Sequence, residues 1–138
     1  MAETILVRDI MTKNVKTARR DFTIREVVRK MNKFNIGSVV IVQEKRPVGI
    51  ITERDILRKI VEPGLDPTMM KAGEVMSSPL ILIDKETSVE EAARLMAKRG
   101  IKKLPIVQDE KLVGIITSMD IVRMQPNLLS LLEEKISY

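Results

Sequence analysis

The chain has 138 residues, enough for one compact domain with a real core and too few for two ordinary ones. Its hydrophobic fraction of 44% is almost entirely aliphatic, because the only aromatics are Phe22, Phe34 and Tyr138, and with neither Cys nor His it has no disulfide, thiolate nucleophile, imidazole base or thiolate metal site. The net charge of +5 is uneven: residues 1–65 carry 14 Lys and Arg against 8 Asp and Glu, and residues 66–138 carry 10 against 11. A basic half attracts nucleic acid, membrane surfaces or phosphorylated small molecules, and charge alone does not choose among them.

Taken in chain order, Val15–Ala18 reads as a short strand, followed by the capping box Thr23-Ile-Arg-Glu26 and a helix whose apolar positions are Ile24, Val27, Val28 and Met31. Val39–Val42 and Val48–Thr52 form a hairpin around Gln43-Glu-Lys-Arg46, and the second strand runs directly into a helix over Glu53–Val61. A Pro/Gly-containing linker, Glu62–Pro67, follows. The series then recurs: strand Leu80–Ile83, capping box Ser88-Val-Glu-Glu91, a helix with Val89, Ala92, Ala93 and Met96 apolar, hairpin strands Leu104–Val107 and Val113–Thr117, and helix Ser118–Met124. Past Pro126, Asn127–Tyr138 is a short helix whose Leu128, Leu129, Leu131, Leu132 and Ile136 need a surface to cover them.

The recurrence is an ungapped duplication. A shift of 65 residues places Ile36–Arg58 on Ile101–Arg123 with 12 of 23 positions identical, and weaker matches extend upstream through Met11/Met76, Glu26/Glu91, Arg29/Arg94 and Met31/Met96. The expected boundaries are repeat 1 over 7–61, a linker over 62–71, repeat 2 over 72–124 and a helical tail over 125–138. Each β-α-β-β-α unit has a three-stranded sheet with helices on one face and a bare opposite face. The predicted fold is therefore α/β (α+β), two pseudo-symmetric repeats packed sheet to sheet.

The segments most suggestive of chemistry are Gly49-Ile-Ile-Thr-Glu-Arg-Asp55 and Gly114-Ile-Ile-Thr-Ser-Met-Asp120. A Thr that ends a strand and opens a helix presents a hydroxyl and unpaired N–H groups at the positive end of the helix dipole, where phosphate binds. An Asp three residues on can accept hydrogen bonds from both hydroxyls of a ribose. Thr-x-x-Asp is equally an ordinary capping box, and Gly can serve only to relieve a tight turn; the double occurrence at equivalent junctions favours the binding role. Met11 and Met76 read as plugs of irregular core gaps. Arg19, Arg20, Arg25, Arg29, Lys30 and Lys33 read as a solvated basic face.

These residues, with Asp9-Ile-Met-Thr12 and Glu74-Val-Met-Ser77 at the repeat starts, resemble a tandem pair of CBS domains, the regulatory repeats first named from cystathionine beta-synthase, over about residues 7–124. The resemblance implies a pseudo-symmetric module that often dimerises and binds adenosine-containing ligands such as AMP, ADP, ATP or S-adenosylmethionine in two clefts. Carried over position by position, it implies one site in which Thr52 faces phosphate, Asp55 holds the ribose and Ile50 lines the pocket, with Pro79, Leu80 and Ile81 around the base. Lys102 and Lys103 stand where some members, such as the kinase gamma subunits, carry phosphate-contacting basic residues, and Arg54 lies near the helix start. The second site has Thr117, Asp120 and Ile115 in the same roles, against Asn14, Val15 and Lys16, with Gly37 and Ser38 at the places of the two lysines. The cation-rich first site is expected to prefer a charged nucleotide, and the second to bind it more weakly or to take a less charged adenosyl ligand.

The leading reading is a stand-alone cytoplasmic sensor, expected to be a homodimer by family resemblance, whose ligand shifts a conformational equilibrium read by a regulated protein. No membrane span is expected, and abundant Lys, Arg and Glu fit a heat-adapted source. Two alternatives are a nucleic-acid-binding module, disfavoured by the lack of an aromatic stacking platform, and a purely structural oligomerisation module. No enzymatic activity is expected, because without His or Cys the best candidates are Asp55 and Asp120, which suit a ribose better than water activation.

Overall fold

A computed structural model describes residues 4–78 and 80–135. The elements are α1 (Val7–Ile10), β1 (Thr17–Ala18), α2 (Ile24–Phe34), β2 (Ser38–Gln43), β3 (Arg46–Thr52) and α3 (Glu53–Ile56), which continues as a π-helical turn over Leu57–Val61. There follow α4 (Ala72–Val75), β4 (Ile83–Asp84), α5 (Val89–Arg99), β5 (Lys103–Gln108), β6 (Lys111–Thr117), α6 (Ser118–Met124), a 3₁₀ turn over Pro126–Leu128 and α7 (Leu129–Lys135). Two three-stranded sheets form, β1-β2-β3 and β4-β5-β6, each with one parallel and one antiparallel pairing.

Local chemistry sets the element ends. The Thr23 hydroxyl accepts the Glu26 N–H at 3.1 Å while the Glu26 carboxylate takes the Thr23 N–H at 3.1 Å, a complete capping box at α2. At α5 the Ser88 hydroxyl accepts the Glu91 N–H at 3.1 Å, the forward half of the same device. Both helices end in the left-handed region at duplicated positions, Asn35 (φ 51°) and Gly100 (φ 63°). Each hairpin turns through two residues with positive φ, Glu44 and Lys45 in one and Asp109 and Glu110 in the other, as a type I′ turn requires.

The edge strands are shorter than Val15–Ala18 and Leu80–Ile83. In the first sheet the ladder is Thr17↔Val40 and Ala18↔Ile41, with the Val40 N–H donating to the Lys16 carbonyl at 3.3 Å. The duplicated position of Val40 is Pro105, which has no N–H to offer, so β4 begins one step later at Ile83↔Ile106 and continues through a Lys85 N–H to Val107 carbonyl bond of 3.1 Å. Proline is tolerated in this central strand because its missing donor faces the short parallel edge rather than β6.

The compact units do not follow the repeats end to end. One unit comprises residues 15–80, and the other residues 1–14 with 81–138. Each sheet is thus completed by the opening segment of the other repeat. In the first unit Ser77 and Ile50 exchange two backbone bonds, of 2.9 and 3.2 Å, along the free edge of β3; in the second, Thr12 and Ile115 do the same at 2.9 and 3.0 Å along β6. Met76 and Met11 then lie directly on Gly49 and Gly114. A Cβ at Gly49 would fall 2.9 Å from Met76 Cβ, and one at Gly114 would fall 2.8 Å from Met11 Cγ and 3.1 Å from the Thr12 carbonyl oxygen. The methionines are core plugs, and the glycines are notches for them.

Each unit has its own core: Ile24, Val27, Val39, Ile41 and Ile51 with the exchanged Ala72 and Val75 in one, and Val89, Met96, Leu104, Ile106 and Ile116 with the exchanged Val7 in the other. The C-terminal helix finds its surface within the second unit, where Leu132 is buried in the core and Leu128 and Leu131 pack against it; Leu129 stays partly exposed, and Ile136 lies outside the described residues.

Gly114→Ala should lower unfolding stability by roughly 1–3 kcal/mol in denaturant titration, as overpacking against Met11 demands. Lys45→Gly should raise it by roughly 0.5–1 kcal/mol, because the left-handed penalty it removes exceeds the entropy glycine adds to the unfolded chain.

Candidate functional site

The two Thr-x-x-Asp junctions are nearly superimposable. At the start of α3 the Thr52 N–H donates to Asp55 Oδ2 at 2.9 Å and the Asp55 N–H donates to Thr52 Oγ1 at 3.2 Å; at the start of α6 the Thr117 N–H reaches Asp120 Oδ2 at 2.9 Å and the Asp120 N–H reaches Thr117 Oγ1 at 3.2 Å. Both motifs are therefore real capping boxes. The cap does not use up the carboxylate. One oxygen is anchored to the backbone, which fixes the orientation of the other.

The second oxygen distinguishes the junctions. Asp55 Oδ1 accepts from Ser77 Oγ at 3.3 Å and lies 3.5 Å from Lys59 Nζ, one turn along the helix, and Lys59 also donates to the Val75 carbonyl at 2.8 Å. Asp55 is consequently tied to the exchanged segment, and its side chain is 14% exposed. At the duplicated position of Lys59 the second unit has the exposed Met124; Asp120 Oδ1 lies 3.8 Å from Arg123 Nη1, on a side chain 72% exposed. Lys59 and Arg123 were detectable from their helical spacing to the aspartates. Ser77 was not, because it lies 22 residues from Asp55.

The remaining predicted site residues sort by unit. Ile50, Thr52, Arg54 and Asp55 share the first unit with Val15, Lys16, Gly37, Ser38 and Leu80; Ile115, Thr117 and Asp120 share the second with Asn14, Ile81, Lys102 and Lys103. Pro79 lies outside the described residues. Within the first sheet Ser38 is opposite Thr52, and the Glu53 N–H donates to the Gly37 carbonyl at 3.1 Å. Within the second, Lys103 is opposite Thr117, and the Ser118 N–H donates to the Lys102 carbonyl at 2.8 Å. The backbone thus sets Gly37 and Ser38 beside the first Thr-x-x-Asp, and Lys102 and Lys103 beside the second. Ile50 and Ile115 carry the edge bridges to Ser77 and Thr12. Lys16 Nζ sits 4.2 Å from the centroid of the Phe34 ring and Lys33 Nζ 5.4 Å, so cations of the chain itself already occupy this aromatic.

Comparison with known proteins gives this architecture its family. The CBS domain family matches twice, at residues 7–62 and 72–127. The chain belongs to the CBS-domain family as a tandem pair. This CBS pair is 42% identical to the uncharacterized protein MK0525 of Methanopyrus kandleri over 95% of its own length and 68% of that relative's. Its fold matches the hexameric CBS-CP12 protein from bloom-forming cyanobacteria with a TM-score of 0.81 at 31% identity, covering 94% of this chain and 77% of the other. It also matches the CBS domain pair of protein MJ0100, solved with 5′-methylthioadenosine and S-adenosyl-L-methionine, with a TM-score of 0.80 at 32% identity over 91% and 98% of the two chains. A CBS pair is a regulatory module. Among the described residues no cluster of three or more acidic side chains is placed to hold a metal ion, and no helix is long and apolar enough to cross a membrane.

Thr52→Ala and Thr117→Ala each remove a cap hydroxyl that accepts a backbone N–H. Each should lower stability by about 0.5–2 kcal/mol in chemical denaturation, with no ligand present.

Proposed function

We propose that this CBS pair is a regulatory sensor of adenosine-containing ligands, of the AMP, ADP, ATP or S-adenosylmethionine type, and that Asp55 and Asp120 receive the ribose of the ligand. The observation that carries this reading is the duplicated junction: two carboxylates, each held by its own helix cap with one oxygen anchored to the backbone, in a chain that resembles a pair solved with two adenosyl compounds. The positive end of the helix dipole beside Thr52 and beside Thr117 favours phosphate or another anionic group. Arg54, exposed in the first turn of α3, adds a cation at the first junction, where the second has Met119. The first junction is accordingly the one assigned to the more highly charged nucleotide.

Signalling follows from the attachment of Asp55. A ribose that takes Asp55 Oδ1 competes with Lys59 and Ser77, and both of these connect to the segment that completes the sheet edge. Occupancy at Asp55 is thereby coupled to the seating of α4 and Met76, and a regulated protein that touches this segment would read the change. Asp120 has no lysine at the position of Lys59 and offers binding with less rearrangement. The module binds and reports; no bond-making step is assigned to it.

Thermal-shift measurements with AMP, ADP, ATP and S-adenosylmethionine should show that at least one stabilises the protein; failure of all four would overturn the reading. In calorimetric titration Asp55→Ala and Asp120→Ala should each weaken the responding ligand by about tenfold or more, the scale of a lost charge-assisted hydrogen bond. The two losses should be unequal for AMP, and equal losses would remove the distinction between the junctions.

A further inference from the structure

The two repeats part company after their last helices. In the second unit the chain past α6 turns back as α7 and packs on α5, with Leu132 buried in the core and Leu128 and Leu131 packed against it. In the first unit the chain past α3 runs through its π-helical turn into the linker and on to α4 instead. Burial at duplicated positions records the difference: Val28 and Ile56 are half-buried and Asn32 and Glu53 exposed, whereas Ala93, Ile121, Ala97 and Ser118 are all buried. The bed that α7 fills on one unit is open on the other.

The open bed is a groove between α2 and the helix that begins with α3. Two adjoining hollows of about 440 Å³ each form it, and they share Val28 and Ile56. Leu57 and Val61, one turn apart along its rim, are 59% and 61% exposed, and Leu65 beyond them is 43% exposed. Aliphatic side chains laid out in this way are what the apolar face of a helix covers.

The ends of the groove differ in charge. Arg25 lines one end, and Arg29 stands one turn farther along α2, two exposed cations at a spacing where like charges repel. Acids close by are engaged: Glu26 serves the capping box of α2, and Asp66 accepts from the Thr68 N–H at 2.9 Å and the Thr68 hydroxyl at 2.7 Å. These bonds hold the Asp66 carboxyl below its ordinary value, and Arg25 adds to the effect in smaller part. At the duplicated positions Glu90 and Arg94 pair with each other at 2.6 Å, so α5 neutralises itself there. The opposite end of the groove is polar, with Asn32, Asn35 and Glu53.

We infer that this groove is the docking site for an amphipathic helix of a second protein. Such a helix presents leucine-type side chains at i, i+3 and i+4 to Val28, Ile56 and Val61, carboxylates to Arg25 and Arg29, and a cation to Glu53. α7 and the turn before it are the chain's own example, with Leu128, Leu131 and Leu132 at that spacing. The α7 of another copy is not the occupant: Leu132 is fully engaged at home, and Asn32 and Glu53 stand where its bed has the smaller Ala97 and Ser118. The inference adds a surface to the regulatory reading and rests on it only in taking the partner to be the regulated protein. Short α3 carries Asp55 as well as Ile56, so one element borders both the first junction and the groove.

Two synthetic helical peptides serve as probes, one with leucines at i, i+3, i+4 and i+7, glutamates at one end and a lysine at the other, and a twin with those charges reversed. By fluorescence anisotropy at low salt the first should bind with a Kd on the order of tens of micromolar and the twin about tenfold or more weakly. Leu57→Glu/Val61→Glu should weaken both peptides about tenfold or more without changing the melting curve, since both side chains are exposed. Arg25→Glu/Arg29→Glu, which leaves the apolar walls alone, should invert the preference between the peptides and decides the matter if the other variant melts early. No binding of either peptide at 1 mM, equal binding of the two, a preference that Arg25→Glu/Arg29→Glu leaves unchanged, or full binding by a well-folded Leu57→Glu/Val61→Glu would each overturn the inference. So would sedimentation showing a wild-type dimer that Leu57→Glu/Val61→Glu makes monomeric, because a second copy would then cover the groove. None of these measurements uses a nucleotide, so their outcome is independent of the ligand proposal.

Discussion

The seating of a methionine on a glycine at the edge of each sheet is the contact on which the rest of the molecule depends. Met76 over Gly49 and Met11 over Gly114 are each followed by a reciprocal pair of backbone bonds, from Ser77 to Ile50 and from Thr12 to Ile115. A β-carbon on either glycine would occupy the space of the methionine side chain, and the bridge one residue away would have to shift with it. With the segment in place, the free edge of β3 or β6 is partly satisfied and the core gains Ala72 and Val75, or Val7. Each repeat is therefore completed by the opening segment of the other one, and neither 65-residue copy contains everything its own sheet needs.

The same contact sets the functional geometry. Gly49 and Thr52 lie three residues apart on β3, so the segment that covers the glycine also brings Ser77 to Asp55, and Val75, at the end of its short helix, accepts from Lys59. The capping box orients the carboxylate, and the exchanged segment occupies its second oxygen. In the other unit the cap is unchanged, but Met124 stands where Lys59 would be, and the exposed Arg123 lies 3.8 Å from the second oxygen. Duplication preserved the cap and diverged in what surrounds it. The two junctions share a frame and differ in what approaches one carboxylate oxygen.

Much of this was legible in the residues. The capping box of α2, the Ser88 cap of α5, the hairpins, both Thr-x-x-Asp junctions and the plug role of the methionines follow from patterns spanning four to eight residues, where side chain and backbone partner are close in sequence. The short edge strands were not legible at the same accuracy, because their extent depends on a partner strand: Pro105 removes the donor that would have fixed Leu82, and that effect acts across more than twenty residues. Lys102 and Lys103 were grouped with the first junction by resemblance, and the sheet register sets their backbone beside Thr117. A register is a tertiary fact, since strand pairing is decided by which faces can be buried together.

By itself the sequence determined the duplication, the element types and the caps, because each rests on periodicity or on contacts within a turn. Tertiary structure decided which segment completes which sheet, where Lys59 and Ser77 go, and that α7 is spent on covering α5. These are long-range choices, made by the need to bury apolar faces and satisfy sheet edges at the same time, and no local pattern encodes how the chain will solve both.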